Sequence, residues 1–533
     1  AEWLKHAHTL LRRKTCPIEV RYTPTALGPA AIKVTLYSLR DVLCAFPVGT
    51  LGTWGGGGTG GEATAQLGRN ESCRLRPATE EDTFRLRVYR PALLLDVVLH
   101  DGVQSLFEIE VLQSKEMAIK GIWCSLLLQT ASGLAGSWKQ LPAPETVYAW
   151  VELDFEWPNQ EEHQAALESG RFRPTHNVLA GLKVCDPEVA PRCTEQMIFV
   201  TVPRWATGVP ATLNRVVPAS GGPKLQPWPS TEAQDVKDCK KIQYVQSMEI
   251  DPSGVMWVID VGRKYFTETS DDSCPPKILL VDVPTGEVLD SYVFPEDVAP
   301  YNGSFLNDIV LDVKHQVAYI SSTGNTPADK GAIVVYDRLH KRSRRIEHSS
   351  THAHHAQLVI HATDYSDLLQ GLPVDGIALT PDGEQIFYSP LGGTELYSIS
   401  AALARNFSVN LSSVVESVKE HGKKPSNSDG MTFGSDGFLY FGGLTLDSLF
   451  RWKPGTALAK CERLAVDHEK LWWIDTFAWD NRGNLWMTSN RLNSWFFRDV
   501  VPPAMDFTGS SGSNFRILKL AVGSNSYMYS QGV

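Results

Sequence analysis

The segment Asp251-Pro-Ser-Gly254, followed at once by Val255-Met-Trp-Val-Ile259, carries the clearest fold signal in the chain. Its polar residues and glycine supply a tight turn, and the β-branched and aromatic residues that follow suit paired strands. The same pattern recurs at Pro381-Asp-Gly383, Ser435-Asp-Gly437 and Asn481-Arg-Gly483, with a looser copy at Asp312-Val-Lys-His315. Each copy predicts a β-hairpin.

The spacing of these turns predicts the architecture. Successive copies are 61, 68, 54 and 46 residues apart, counted between Gly254, His315, Gly383, Gly437 and Gly483. A supersecondary unit repeated at roughly 45–50 residues is typical of β-propellers, and the longer steps leave room for loops. One further unit upstream falls near Cys193, where residues 182–184 and 196–202 have strand-like composition. The sequence therefore predicts an all-β fold, a six-bladed β-propeller.

Residues 117–135 follow the pattern of an export signal. Met117 and Lys120 precede an apolar core at 121–128, and small residues end the segment at Ala135. The expectation is a product that begins at Met117 and matures near Gly136. Residues 136–533 would then form the propeller, and residues 1–116 an unassigned segment that is non-native or disordered.

A second interpretation of the N-terminal part stays open. It takes residues 92–100 and 106–112 as strands of a small separate domain, because both are rich in strand-forming residues. Residues 117–135 would then be a buried hydrophobic segment.

The composition and net charge limit the kinds of partner that the chain is expected to bind. The chain has 533 residues, 43% of them hydrophobic, and a formal net charge of −10. Nucleic-acid binding needs a concentrated basic face, so no nucleic acid is expected as a partner. No membrane is expected either, because the strongly apolar segment at 121–128 is short and follows the pattern of an export signal rather than of a membrane span. The sequence contains no serine-nucleophile motif, phosphate-binding glycine loop or His-Glu-x-x-His, and we predict no cofactor and no metal site. The histidine-rich tract at 348–361 is interpreted as a solvated loop, and the oligomeric state is left open.

Cysteines and glycosylation sequons favour a secreted, extracellular protein. Cys185 and Cys193 bracket a short loop, and Cys239 and Cys274 flank the first hairpin, so we expect these two disulfides. Cys461 is left without a partner in this scheme. Glycans are predicted at the sequons that begin at Asn302, Asn406 and Asn410.

Polar residues open the inner strands of four predicted blades. They are Asn307, Asp375, Asp429 and Asp475, each just upstream of a hairpin. Any one such aspartate can simply cap a loop. Several carboxylates that converge on one axis repel each other unless a cation compensates them. The cation could be Ca²⁺ or an organic ammonium, and the aromatic residues near the hairpins favour an ammonium.

Several ordered motifs between about Tyr148 and Leu520 together resemble the Yellow / major royal jelly protein family. They are Val151-Glu-Leu-Asp-Phe-Glu-Trp-Pro158, Ile198-Phe-Val-Thr-Val-Pro-Arg-Trp205, Cys274-Pro-Pro-Lys-Ile-Leu279, Asp475-Thr-Phe-Ala-Trp-Asp-Asn481 and Leu485-Trp-Met-Thr-Ser-Asn-Arg491. The resemblance implies a secreted six-bladed propeller. It also implies that Thr476 and Asn490 are ligand-binding positions in the central channel, because amine-binding members use residues of the last blade.

The resemblance implies three possible classes of function. Family members are associated with biogenic-amine binding, with dopachrome conversion in melanin chemistry and cuticle pigmentation, and with nutrition. We therefore expect a protein that binds small aromatic amines or catechol-derived ligands. The alternatives are a dopachrome-converting, tautomerase-like enzyme and an extracellular structural or scaffold protein.

Ring closure gives a further expectation. Propellers commonly complete their last blade with a strand from the other end of the domain, which leaves no open sheet edge. Residues 146–155 are placed to pair beside residues 515–520.

Overall fold

The chain divides into two compact units, residues 1–140 and 141–533. The computed structural model describes seven strands between residues 18 and 113, and residues 142–530 without 325, 327–328, 355–357, 362, 367–370 and 497–503. Among the described helices, none combines the length and the apolar character needed to cross a membrane.

The described part of the first unit is one antiparallel sheet. Its strands are β1 (Ile18–Thr23), β2 (Ala31–Leu36), β3 (Ala63–Gly68), β4 (Glu71–Pro77), β5 (Thr83–Arg90), β6 (Leu93–His100) and β7 (Phe107–Gln113). They pair in the order β1-β2-β7-β6-β5-β4-β3. β6 and β7 overlap the two segments, 92–100 and 106–112, in which the second interpretation expects strands. The predicted signal segment 117–135 lies outside the described residues, and the assignment of 1–116 stays a prediction.

The second unit is the predicted propeller, six four-stranded antiparallel sheets. After β8 (Glu145–Trp150), blade 1 contains β9 (Leu182–Cys185), β10 (Met197–Thr201), β11 (Leu213–Val217) and β12 (Lys224–Pro227). Blade 2 contains β13 (Val245–Ile250), β14 (Val255–Asp260), β15 (Lys277–Asp282) and β16 (Val288–Val293). Blade 3 contains β17 (Leu306–Asp312), β18 (Val317–Ser322), β19 (Ala332–Asp337) and β20 (Arg342–Ile346).

The chain continues round the ring through a small hairpin, β21 (Val359–Ile360) and β22 (Thr363–Asp364). Blade 4 contains β23 (Val374–Leu379), β24 (Gln385–Pro390), β25 (Glu395–Ser400) and β26 (Lys419–Lys423). Blade 5 contains β27 (Met431–Phe433), β28 (Leu439–Gly443), β29 (Ser448–Trp452) and β30 (Glu462–Val466). Blade 6 contains β31 (Trp473–Trp479), β32 (Asn484–Asn490), β33 (Phe515–Ala521) and the early strand β8.

Closure follows the predicted scheme. β8 pairs antiparallel with β33, with Trp150 opposite Phe515 and Tyr148 opposite Ile517. The last blade is therefore completed by residues from the start of the second unit. This pairing covers the edge that β33 would otherwise present.

The helices that the structure describes in the second unit are short and lie between strands. They are α1 (Gln160–Glu168), α2 (Ala401–Arg405), α3 (Leu411–Val415) and α4 (Leu492–Phe496). The 3₁₀ turns are Pro174–His176, Glu232–Gln234, Ser349–Thr351, Leu458–Lys460 and Tyr527–Ser530. The Asn159 side chain caps α1 by accepting a hydrogen bond of 2.8 Å from the Glu162 amide.

The repeated hairpins owe their turns to glycine and aspartate. Gly254, Gly383, Gly437 and Gly483 all have φ between 72° and 84°, which favours glycine. In the first copy, Asp251 Oδ1 accepts from the Ser253 amide at 2.8 Å, and Asp251 Oδ2 accepts from Trp257 Nε1 at 3.0 Å. The turn aspartate thus fastens the tryptophan of the next strand into the core.

Both predicted disulfides are present, Cys185–Cys193 and Cys239–Cys274. Cys461 is the free cysteine among the described residues. The first disulfide closes the β9–β10 connection, and the second joins the segment before blade 2 to the segment before β15.

Candidate functional site

A bulge recurs in the innermost strand of the blades. The register shifts between Val245 and Met248, and at the equivalent places in three other blades, Leu306/Ile309, Val374/Ile377 and Ile474/Phe477. A bulge adds one residue to a strand and redirects its side chains, and such bulges are frequent beside active sites. The side chains at this place line one cavity: Gln246, Asn307, Asp375, Asp475 and, just before β27, Asp429.

The cavity has a volume of about 350 Å³ and lies at one mouth of the central channel. Its wall is made where inner strands begin and second strands end. Aromatic side chains supply much of the surface, namely Trp205, Phe266, Phe305, Trp473 and Phe496. A concave, mostly apolar pocket of this size with a few polar groups is typical of small-molecule sites.

Asp375 and Asp429 form a hydrogen-bonded carboxyl pair in this cavity. They are 4% and 8% exposed, and their carboxyl groups hydrogen-bond to each other. Two carboxylates can do this only if one of them keeps its proton. Burial, reinforced by the charges of Asp475 and Asp308, raises the pKa of Asp375 to about 7. Burial and the neighbouring Asp375 raise the pKa of Asp429 well above its usual range.

Neutral donors hold the two carboxyl groups in place. Asn307 Nδ2 donates to Asp375 Oδ1 at 2.5 Å. Trp473 Nε1 donates to Asp429 Oδ2. These bonds come from the blades on either side, so the pair is oriented by contacts between blades.

Asp475 is the third acid of the cavity. Burial and the charge of Asp429 raise its pKa well above the usual range for an aspartate. Thr476 Oγ1 donates to Asp475 Oδ1 at 3.2 Å, and Asn490 Nδ2 donates to Asp475 Oδ2 at 3.0 Å. Asn490 also bonds the Leu179 carbonyl oxygen at 2.9 Å. Thr476 and Asn490 therefore orient Asp475, whereas Asp475 itself lines the cavity wall.

The structure thus brings the six sequence-predicted ligand residues together. Four of them line the cavity wall: Asn307, Asp375, Asp429 and Asp475. Direct contact of any of the six with a ligand stays a prediction.

Glycines beside the acids let the inner strands approach closely. A Cβ atom at Gly376 would lie 2.3 Å from the Asp429 carbonyl oxygen, and one at Gly430 would lie 2.2 Å from the Asp475 carbonyl oxygen. The Gly430 amide donates to that same Asp475 oxygen at 2.9 Å. The Asp-Gly pairs of blades 4 and 5 therefore combine an acid for the cavity with a close contact between blades.

Lys424 is a charged neighbour of this cluster that sequence reasoning missed. It is 3% exposed, and its Nζ donates to Ser389 Oγ at 2.7 Å and to Ser428 Oγ. Burial lowers the pKa of Lys424 to about 7, against the opposing attraction of Asp375, Glu395 and Asp429. In the sequence, Lys423-Lys424-Pro425 is indistinguishable from a solvated loop.

On the side of the channel away from the cavity, the described residues place buried side chains that contact one another. Lys183 Nζ bonds the Phe477 carbonyl oxygen at 2.8 Å and lies 3.1 Å from Glu249 Oε2. Beyond this ion pair, Tyr527 is 2% exposed, and its hydroxyl accepts from the Leu311 amide at 2.8 Å. We expect a ligand to enter from the acidic, aromatic mouth.

The remaining sequence-predicted features are peripheral. The asparagines of all three sequons, Asn302, Asn406 and Asn410, are exposed, and Asn302 immediately precedes two cavity-lining residues, Gly303 and Ser304. Within the described residues, no group of three or more histidine, cysteine, aspartate or glutamate side chains is arranged to hold a metal ion.

The fold and the cavity define a six-bladed β-propeller with an acidic, aromatic pocket at one end of its channel. Residues 243–522 match the family model described as major royal jelly protein. The chain belongs to the Yellow / major royal jelly protein family.

Individual relatives are distant. The chain is 25% identical over 382 residues to Protein yellow of Drosophila madeirensis, which covers 69% of this chain and 64% of that protein. It is 28% identical over 266 residues to Major royal jelly protein 5 of Apis mellifera, covering 48% of this chain and 41% of that protein. The chain thus spans less than two thirds of the length of these relatives. A solved luciferin-regenerating enzyme aligns with 13% identity and a TM-score of 0.39 over 66% of this chain and 93% of that chain.

Proposed function

We propose that this protein is secreted and binds small aromatic amines or catechol-derived molecules in the channel cavity. The observation that carries the proposal is the convergence of three buried carboxyl groups, Asp375, Asp429 and Asp475, on a cavity lined with aromatic rings. A carboxylate beside an aromatic face is how proteins hold a protonated amine.

The electrostatics of the cavity support a cationic ligand. All three acids have raised pKa values, because burial penalises their charged forms and each acid feels another. An ammonium placed among them favours the ionised forms, because it brings a positive charge next to the carboxyl groups. Binding of an amine should therefore release protons.

Calorimetric titration with dopamine and serotonin tests the proposal. Asp475→Asn should weaken dopamine binding by roughly tenfold or more, because a charge-assisted hydrogen bond is lost. Wild-type affinity should rise between pH 5.5 and pH 8, since Asp375 with a pKa of about 7 ionises in that window while an alkylammonium stays charged.

Asp297 is exposed and supplies a matched control. Asp297→Asn removes one carboxylate outside the cavity and should leave dopamine binding unchanged. Absence of binding in the wild type, or equal affinities for the two variants, would contradict the proposal.

A second candidate function is dopachrome conversion, which the Asp375–Asp429 pair favours. In a tautomerisation, one carboxylate takes a carbon-bound proton while a protonated partner delivers a proton to oxygen, so no net proton is lost. A pair that holds one proton near neutral pH has both partners available.

A dopachrome decay assay separates the candidates. Turnover that disappears in Asp429→Asn selects the enzyme, and tight binding without turnover selects the amine-binding protein. Inertness in both assays leaves an extracellular scaffold role. Secretion is tested separately by expression from Met117 in insect cells, with detection in the medium and a glycosidase-sensitive mass.

A further inference from the structure

The wall of the cavity that faces the acids carries three side chains that can donate hydrogen bonds. Inner strands follow one another round the ring in the order β9, β13, β17, β23, β27 and β31, so blade 2 faces blade 5 across the channel. Gln246 and Arg263 belong to blade 2 and Ser304 precedes blade 3, and all three line the cavity. They lie across the channel from Asp429 and Asp475.

The Arg263 side chain is held through its Nε atom, and its two terminal nitrogens are not used in these contacts. Its Nε donates to Ser270 Oγ at 2.9 Å and lies 3.0 Å from Asp272 Oδ1. Neither terminal nitrogen of Arg263 has a hydrogen-bond partner among the described residues. The loop thus orients the side chain and leaves its two-pronged end for the cavity.

Gln246 is oriented by a chain of hydrogen bonds. Trp205 Nε1 donates to the Tyr244 hydroxyl at 2.6 Å, and that hydroxyl donates to Gln246 Oε1 at 2.7 Å. Indole is only a donor, so the direction of the chain is fixed and the amide of Gln246 presents its NH₂ group elsewhere. In the part of the chain that the structure describes, this NH₂ group has no acceptor.

Two buried polar atoms of the cavity wall lack partners. Ser304 is 1% exposed, and its hydroxyl has no hydrogen-bond partner among the described residues. Asn493 is 2% exposed; its Nδ2 donates to the Tyr365 hydroxyl at 3.0 Å, and its Oδ1 has no donor within the same residues. An unpaired buried polar group costs roughly 1–3 kcal/mol, so such atoms point to a ligand that satisfies them.

We propose that Arg263, Gln246 and Ser304 form a second subsite that binds the ring oxygens of the ligand. This inference rests on the proposed function and narrows its ligand class. The ammonium binds the acids of blades 4 to 6, the ring lies against the aromatic side chains, and the oxygens at the far end accept hydrogen bonds from blades 2 and 3. Guanidinium and amide NH₂ groups only donate, so catechol or o-quinone oxygens fit and an unsubstituted ring does not.

A ligand series tests the subsite on the unaltered protein. Phenethylamine, tyramine and dopamine share the ammonium and carry zero, one and two ring hydroxyl groups. Dopamine should bind roughly tenfold or more tightly than phenethylamine, with tyramine between them. Equal affinities for the three would overturn the subsite and leave amine binding intact. Absence of binding by all three would instead overturn the proposed function.

Variants locate the effect. Arg263→Gln should abolish the advantage of dopamine and leave phenethylamine affinity unchanged, and Arg263→Lys should retain part of the advantage. Lys240→Gln, which removes one exposed positive charge, is the control for net charge. Retention of the full dopamine advantage in Arg263→Gln would overturn the assignment.

L-DOPA distinguishes ring oxygens from a carboxylate. It adds a carboxylate to dopamine next to the ammonium, away from the ring oxygens. L-DOPA should bind to the wild type no more tightly than dopamine does. A gain that Arg263→Gln removes would show a carboxylate site and overturn the ring-oxygen subsite.

Discussion

Asp375 and Asp429 come from adjacent blades, 54 positions apart in the sequence, and their carboxyl groups meet in a hydrogen bond. Asn307 donates to Asp375 and Trp473 donates to Asp429, so each acid has a neutral donor from a neighbouring blade. The arrangement stores a proton near neutral pH at the wall of a cavity. It is well suited to a ligand that brings its own positive charge.

The shared proton predicts an unusual pH dependence of stability. Asp375 has a pKa of about 7 in the folded protein against a usual value of 3.8. Between these values the folded state keeps a proton that the unfolded state has lost, so the free energy of unfolding falls as pH rises. Asp375→Asn removes this titration and keeps an acceptor for Asn307. At pH 8 the variant should exceed the wild type in unfolding free energy by about 1 kcal/mol or more, and the gap should narrow at pH 5.

Urea denaturation at the two pH values measures this difference. Asp297→Asn, at an exposed position, should change stability little at either pH. A variant less stable than the wild type at pH 8 would show that the ionised pair is not a source of strain.

The sequence predicts which residue types lie at the site, but it does not predict which residues contact each other there. The recurrence of polar, mostly acidic residues at the start of inner strands indicates convergence on one axis, and the three aspartates and Asn307 do line one cavity. The carboxyl–carboxyl bond, the buried Lys424 and the donor wall at Arg263 depend on contacts between blades. No local pattern around these residues carries that information.

The β-hairpin is the repeated element of the propeller. Each copy combines a tight turn with an aromatic side chain that packs in the core. Asp480 repeats the role of Asp251, since Asp480 Oδ2 accepts from Trp486 Nε1 at 2.9 Å. Glycine sets the turn, aspartate satisfies its amides, and the aromatic residue fills the core. The turns lie at the end of the channel away from the cavity, and the bulged starts of the same inner strands form the cavity at the other end.

β8 is the element on which ring closure depends. Deletion of residues 142–156 removes β8 together with the buried Leu153 and Phe155, and it leaves β33 as an unpaired edge. This deletion should abolish the cooperative melting transition seen by calorimetry.

Deletion of residues 1–135 is the matching control, because it ends before the second unit. That truncation should leave the propeller transition at its original temperature. A large loss of stability on the truncation would contradict the assignment of residues 1–116 as separate from the propeller.

The C-terminal segment that contains Ser526, Tyr527 and Met528 packs at one end of the ring, opposite the cavity. Ser526 bridges Gly434, its amide donates to Asn481 Oδ1 at 2.9 Å, and Tyr527 and Met528 are buried beneath the hairpin turns. The segment links blades 3, 5 and 6 at the mouth opposite the cavity. Its buried side chains therefore make this end of the channel different from the acidic, aromatic end.

Substitution of Tyr527 tests this role. Tyr527→Ala should lower the free energy of unfolding by about 3–5 kcal/mol, since a fully buried aromatic side chain is lost. Tyr527→Phe should cost only about 1 kcal/mol, the value of its hydrogen bond to the Leu311 amide. Denaturant titration measures both, and similar small losses in the two variants would show that the segment does not pack at this end of the channel.

The hairpin repeat, the number of blades, the closing strand, both disulfides and the acids of the inner strands could all be predicted from the amino-acid sequence. These features follow from local turn chemistry, strand composition and spacing, which are written in consecutive residues. The folded ring was needed to find that two acids share a proton, that Thr476 and Asn490 orient Asp475, and that donors face the acids across the channel. Such relations join residues from different blades, and their energies depend on burial and distance, which appear only when the ring is closed.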